Sequence, residues 1–365
     1  MSFLLCFGKY MQSKQTDLSY RLFFVFFHRQ HRLLYYLCTH FFSIANIMAD
    51  FDINILGCGS ALPTTRHMAT SQVIDLRDKL YMIDCGESTQ LQMRRMRVKF
   101  SRLNHIFISH LHGDHCFGLP GLISTLGMLG RNGDLVIHGP KELGDYLRPI
   151  IELFCRQLPY NVVIDEIDPT RHALVMEDRS LQVYSIPLRH RIPCCGYLFV
   201  ERPKEPHLIR EMIDFYQVPV HALQRLKRGE DYITPDGQRI PNSRIPNSRL
   251  TRPAEPPKRY AYCSDTAFSP EIVPLIEGVD LLYHEATFQE CDLPRARETF
   301  HSTARQAAEI ARMAKVKRLL IGHYSARYED TEPLRKEADA VFPGTLPAQE
   351  GMRLSLYDTK VRFVK

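Results

Sequence analysis

An α+β fold that gathers its chemistry along one rim is the architecture this sequence predicts, and three observations predict it. Short apolar runs recur through the chain, and six of them end in loops rich in His, Asp and Gly. Stretches of strong helix formers separate some of these runs. The 365 residues are 44% hydrophobic and 24% charged. That is ordinary globular composition, which excludes wholesale disorder and a fibrous repeat and leaves ample material for a core.

The elements follow in order. From Met48 the segment alternates, with Phe51, Ile53 and Ile55 on one side, and predicts a half-buried first strand. Tyr81–Ile83 runs into Asp84, and His105–Ser109 into the loop His110–His115. Leu181–Ile186 leads to His190, Arg259–Cys263 to Asp265, Val279–Tyr283 to His284 and Glu285, and Arg318–Gly322 to His323. Thr303 with Gln306 three residues later forms a capping box, which starts a helix over 304–314. The segment 197–258 breaks this rhythm. It holds twelve basic and eight acidic residues between 197 and 259, a helical stretch near Pro206–Tyr216, a basic patch at Arg225–Arg228 and a Pro-rich loop at about 239–258. A tandem Arg-Ile-Pro-Asn-Ser at 239–243 and 244–248 is too short to build a repeat architecture and reads as a duplication in a tolerant loop.

Residues 1–47 are of another kind. They hold 12 of the 37 Phe and Tyr residues, and five basic residues against the single Asp17. Their apolar runs are too short for a signal peptide. The segment reads as an extension outside the domain, poorly ordered or produced by a mis-assigned start, with a basic membrane-surface segment as the competing reading. No window of about 18 uncharged apolar residues exists, so no membrane span is expected. The ten cysteines are scattered without metal-ribbon spacing and read as reduced thiols of a cytoplasmic protein. Net charge is +6, most of it from residues 1–47, so any nucleic-acid surface must be a local patch.

His110-x-His112-x-Asp114-His115 carries the strongest chemical signal. Three imidazoles and a carboxylate within six positions after a strand suggest two metal ions. His110 and His112 project to one side, and Asp114 and His115 can serve a neighbouring ion. Gly113 fits a tight loop that turns all four inward. Further ligands, including a bridging carboxylate, are needed from elsewhere, and His190, Asp265 and His323 offer themselves at later strand ends. Nitrogen and oxygen donors in this mixture favour zinc, with manganese or iron as alternatives.

These segments resemble the metallo-β-lactamase superfamily, and further ones narrow the resemblance to the tRNA 3′-processing endoribonucleases of the ribonuclease Z family. They are Leu56–Thr64, Ile83–Gln90, Ser109–Gly121, His284–Phe288, His301–Thr303 and Gly322–Tyr328, within a matching region of about 48–364. The resemblance implies an αββα four-layer sandwich with a projecting arm at about 197–230 that grips tRNA. It implies two zinc ions per subunit, with His110, His112 and His190 on one, Asp114, His115 and His323 on the other, and Asp265 between them. Asp114 would orient and deprotonate the attacking water. His301, supported by Glu285, would protonate the leaving 3′ oxygen. Asp84 and His284 would support ligands rather than bind metal. Arg202, Lys204, Arg225, Lys227 and Arg228 are the candidate arm contacts to precursor tRNA, and a homodimer is implied. The rival readings are another binuclear hydrolase on the same scaffold (a phosphodiesterase, thioesterase or lactonase) and a non-catalytic metal- or RNA-binding protein.

Overall fold

A computed structural model describes residues 51–215, 218–233, 237, 239–240 and 251–364. The expected extension 1–47 and most of the tandem repeat lie outside the described residues. In chain order the strands are β1 Phe51–Gly57, β2 Ser71–Leu76, β3 Lys79–Ile83, β4 Leu103–Phe107, β5 Leu135–Pro140, β6 Val162–Ile167, β7 Leu174–Glu177, β8 Leu181–Pro187 and β9 Cys195–Glu201. Short pairs follow, β10 His207–Leu208, β11 Tyr232–Ile233, β12 Arg239–Ile240 and β13 Thr251–Arg252. Then come β14 Arg259–Cys263, β15 Leu281–Glu285, β16 Leu319–Gly322, β17 Leu346–Pro347, β18 Met352–Ser355 and β19 Val361–Phe363.

Two large sheets result. One has eight strands in the order β19-β18-β1-β2-β3-β4-β5-β6, the other seven in the order β17-β16-β15-β14-β9-β8-β7. The main apolar core holds inward residues of both sheets, among them Phe51, Ile53, Phe107, Val183, Tyr197, Phe199 and Tyr260. A second core packs the outer face of the first sheet against the helices Thr89–Arg95, Leu119–Met128 and Glu142–Phe154. The helices Ala304–Met313 and Glu332–Asp339 cover the second sheet through Ala307, Ala308, Ile310, Ala311, Leu334 and Ala338. These are the four layers αββα of the metallo-β-lactamase fold. The expected capping box is present, with the Thr303 side chain accepting from the Gln306 N–H and the Gln306 side chain from the Thr303 N–H.

Three local expectations need correction. Strand β1 is not half-buried: every residue from Phe51 to Gly57 is buried. A central strand between two layers has no solvent face, and its polar residues find partners, as Asn54 does with the Val73 carbonyl and Arg353. Gly113 does not turn a loop. It opens the one-turn helix Gly113–Cys116 and lies against the Phe117 ring, an exposed side chain that could shift to admit a Cβ. The fifth metal-side strand extends further than expected and includes His284 and Glu285.

The excursion also begins later than residue 197. Residues 195–201 form β9, paired to β8 and β14. The Glu201 N–H donates to the Lys258 carbonyl at 2.9 Å, so the chain leaves and rejoins the sheet at adjacent points. Between them the helices Arg210–Phe215 and Leu223–Lys227 close a small core of their own, with Ile213, Val218, Ala222 and Leu226.

Direction matters for function. β3, β4, β5 and β6 run parallel, as do β14, β15, β16 and β17. β8 and β14 are both antiparallel to β9 and so share a direction. The carboxyl ends of β3, β4, β8, β14, β15 and β16 therefore supply one rim, where open α/β sheets place their ligands. Phe107 holds the inter-sheet packing under that rim, with ring centroids 5.3 Å from Tyr197 and 5.4 Å from Phe199. Phe107→Ala is expected to lower stability by about 3–5 kcal/mol, measured by urea unfolding.

Candidate metal centre

Three of the loops that leave the rim turn sharply. Asp84 and His323, directly after β3 and β16, and Asp265, two residues after β14, adopt left-handed backbone with φ of 55°, 60° and 60°. Such conformations are costly for residues other than glycine and persist where surrounding contacts determine them. The effect is to fold the side chains back over the strand ends.

The side chains form two groups that meet at one carboxylate. His110 Nε2 lies 2.9 Å from His112 Nδ1, and His190 Nε2 lies 3.2 Å from the same atom. Asp265 Oδ2 faces this group, 3.5 Å from His110 Nε2 and 3.7 Å from His190 Nε2. On the other side, Asp265 Oδ1 is 3.2 Å from His115 Nε2 and 3.1 Å from His323 Nε2. Asp114 Oδ2 completes that group at 3.4 Å from both imidazoles. All seven expected residues are brought together, in the two expected sets.

These groups fit divalent metal ions. The Nε2 atoms of His115 and His323 are buried and make no hydrogen bond. Donors on a tetrahedral zinc at about 2.0–2.1 Å stand roughly 3.3–3.4 Å apart, close to the separations seen. The remaining ring nitrogens are already committed. His115 Nδ1 donates to Asp84 at 2.7 Å, His190 Nδ1 to the Phe300 carbonyl at 3.0 Å, His323 Nδ1 to Thr287 Oγ1 at 2.9 Å and His110 Nδ1 to Ser109 Oγ at 3.0 Å. Each such bond fixes which nitrogen faces the centre, and that nitrogen would give its lone pair to a bound metal. Asp84 is itself held by the Ser109 N–H and hydroxyl and by the Tyr262 hydroxyl. Burial alone would raise the Asp114 carboxyl, but the neighbouring His115 and His323 hold it well below the usual range, so it is ionised.

A second device sits beside this centre. Glu285 is fully buried, and four donors surround it: the Thr266 N–H at 2.7 Å, the Ser302 N–H at 3.1 Å, the Thr287 hydroxyl at 2.5 Å and His301 Nδ1 at 2.9 Å. Burial works against the charged forms of both partners. The Glu285 charge nevertheless pushes His301 up to about 9, and His301 in turn holds the Glu285 carboxyl below its ordinary value. The pair therefore favours the protonated form of His301. Its ring lies 5.0 Å from that of His190 and 5.4 Å from that of His323.

His284 does not support a ligand. It projects from the strand face opposite Glu285, and its Nδ1 bonds the Glu285 carbonyl at 2.8 Å. Ser109, Tyr262 and Thr287 were not anticipated; Ser109 and Thr287 stand inside the quoted motifs, whereas nothing in the sequence marks Tyr262. A cleft of about 800 Å³ opens over the centre, lined among others by Asp114, His301, Phe117, Arg191, Arg295 and Arg327. Those arginines were also missed, although Arg327 belongs to the late motif. Of the five arm candidates, Arg202, Arg225 and Lys227 pair with Glu177, Glu230 and Glu205. Lys204 is half-buried, its ammonium 4.0 Å over the Tyr357 ring and 3.4 Å from Glu201. Arg228 is exposed. Asp265→Asn is expected to lower bound metal by at least one ion per chain relative to the unaltered protein. Elemental analysis after dialysis measures this, and far-ultraviolet circular dichroism is expected to be unchanged.

Comparison with known proteins places this geometry. Residues 249–324 match a beta-lactamase superfamily domain, and residues 51–143 match the family of the anti-Pycsar protein Apyc1. A ribonuclease Z of Parabacteroides distasonis is 76% identical over 309 residues, 85% of this chain and all of that protein. One from Bacteroides fragilis is 61% identical over the same extent. The crystal structure of the short form of human tRNase Z superposes with a TM-score of 0.60 at 25% identity, covering 84% of this chain and 99% of that one. With its length matched at this identity and its ligand sets gathered on one rim, the chain belongs to the ribonuclease Z family.

Proposed function

We propose that the chain is a divalent-metal-dependent endoribonuclease that removes the 3′ trailer from precursor tRNA, leaving a 3′-hydroxyl on the tRNA and a 5′-phosphate on the trailer. The observation that carries this reading is the buried Glu285–His301 ion pair beside the two ligand sets, at the floor of one cleft. Hydrolysis of a phosphodiester with an alkoxide leaving group needs both an activated water and a proton donor.

His110, His112 and His190 would hold one ion, and Asp114, His115 and His323 the other, with Asp265 shared; zinc suits these donors best, with manganese or iron as alternatives. Bound there, such ions lower the pKa of water and offset charge on the phosphate oxygens. Asp114 borders the cleft as an ionised carboxylate and serves to orient the water and take its proton. His301 donates a proton to the leaving 3′ oxygen. Glu285 keeps that proton available, and the N–H groups of Thr266 and Ser302 keep Glu285 in place. Arg191 offers a cation to the RNA backbone at the cleft, beside Arg295 and Arg327, which pair with Glu298 and Asp292. The reading includes an RNA-gripping arm within 202–257 and pairing of two chains, with the family resemblance as support. No helix among the described residues is long and apolar enough to cross a membrane.

The direct test is incubation of the purified protein with a precursor tRNA bearing a 3′ trailer; cleavage is expected at the trailer junction and is lost with a chelator. His301→Ala is expected to slow that cleavage by about 10²–10⁴-fold. Hydrolysis of bis-p-nitrophenyl phosphate, whose leaving group needs no proton, should fall by less than about tenfold. Asp114→Ala loses both activities.

Excision of residues 205–256, closed by the turn that the Glu201–Lys258 contact permits, should preserve hydrolysis of the small diester. Cleavage of precursor tRNA should fall by orders of magnitude and depend less steeply on salt, because fewer counterions are released on binding. Initial rates across a salt series measure both effects.

A further inference from the structure

Behind one wall of the cleft lies a second kind of donor cluster. Cys58 follows β1, His67 lies in the loop that returns to β2, and Glu350 precedes β18. Cys58 Sγ is 3.5 Å from His67 Nδ1 and 3.4 Å from Glu350 Oε1, and His67 Nδ1 is 3.1 Å from Glu350 Oε2. Sulfur, nitrogen and oxygen thus gather from segments up to 292 residues apart, with one Glu350 oxygen facing Cys58 and the other His67, while the Cys58 thiol also lies 3.4 Å from the Ala348 carbonyl. Zinc binds thiolate at about 2.3 Å and imidazole or carboxylate at about 2.0–2.2 Å, so tetrahedral donors stand roughly 3.3–3.6 Å apart. The three separations lie at or just below that range. Cys58 is fully buried, while the side chains of His67 and Glu350 are 18% and 14% exposed, which leaves a path for a water as fourth ligand.

The cluster is held from outside as well. Glu350 Oε1 accepts the Met68 N–H at 2.8 Å and the Cys58 N–H at 3.3 Å. The His67 ring packs 5.3 Å from Tyr324, the neighbour of His323. The loop 60–69 that this cluster closes supplies Ser60–Thr64 and His67–Ala69 to the cleft.

We propose that Cys58, His67 and Glu350 form a third metal site, separate from the binuclear centre, which takes a thiolate-binding divalent ion of the zinc class and clips the cleft loop to the start of β18. The mixed sulfur, nitrogen and oxygen set favours such an ion over magnesium or calcium. Binding forms a metal–sulfur bond and releases the thiol proton to solvent.

Among the described residues the ligand sets of the binuclear centre contain no cysteine, which makes sulfur a specific reporter. Full-length protein loaded with cobalt(II) is expected to show a near-ultraviolet thiolate-to-cobalt charge-transfer band. The band should disappear in Cys58→Ser, and elemental analysis of the zinc form should fall from three ions per chain to two. His67→Asn, at a partly exposed position that need not disturb the core, should weaken the band's cobalt affinity by at least tenfold. Absence of the band from the unaltered protein, its persistence in Cys58→Ser, or two zinc ions per chain in both proteins would overturn the proposal and leave the cluster a hydrogen-bonded lock.

Discussion

The two oxygens of Asp265 are the point from which the site is organised. One faces His110 and His190, the other His115 and His323, at the end of a strand whose next residue donates its N–H to Glu285. A buried carboxylate surrounded by four imidazoles is tolerable only if charge balances across the group. The surrounding structure serves that balance. Asp84, Ser109, Thr287 and the Phe300 carbonyl each occupy one ring nitrogen, so that the opposite nitrogens are the ones presented inward. The left-handed turns at Asp84, Asp265 and His323 are the backbone cost of aiming three strands at one point.

The same constraint couples the centre to the Glu285–His301 pair. Thr287 accepts from His323 and donates to Glu285, and Glu285 pairs with His301. A single hydroxyl thus connects a metal-side imidazole to the ion pair that would serve the leaving group. Change at Thr287 would disturb the orientation of one and the charge of the other together, although Thr287 itself would neither bind metal nor carry the transferred proton.

The ligands were legible because of where they stand. His110 to His115, Asp265 and His323 follow apolar runs, and a run ending in His or Asp marks itself. Glu285 and His301 were legible only through the family motifs, since two polar residues sixteen apart carry no periodic signal. The supporting hydroxyls were not legible: Tyr262 looks like any aromatic strand residue until its oxygen is found 2.7 Å from Asp84. Burial of β1 was misread because Asp52 and Asn54 alternate as a solvent face would, while the partners that satisfy Asn54 come from Val73 and Arg353. Lys204 likewise has a partner that no local pattern reveals. Its ring partner, Tyr357, is 153 residues away.

The placement of the excursion bears on what can be recognised. β9 begins at the metal rim, where the Cys195 N–H meets the Ser109 carbonyl, and ends at Glu201, where the excursion departs. Seven residues of strand put these points about 20 Å apart. The departure point is itself fastened: Glu201 is buried among Arg77, Lys204 and the Tyr357 hydroxyl, so the excursion is anchored through the core and not through the catalytic rim. Its sequence is therefore free to vary without moving a metal ligand. A substrate engaged by both the cleft and the excursion must span at least that strand, which a lactone, thioester or small diester does not. A folded RNA does, and it carries a repeating phosphate that basic residues at both ends can meet. The length of one strand thus sets the cleft and the excursion at a spacing that a folded RNA could bridge and a small-molecule substrate could not.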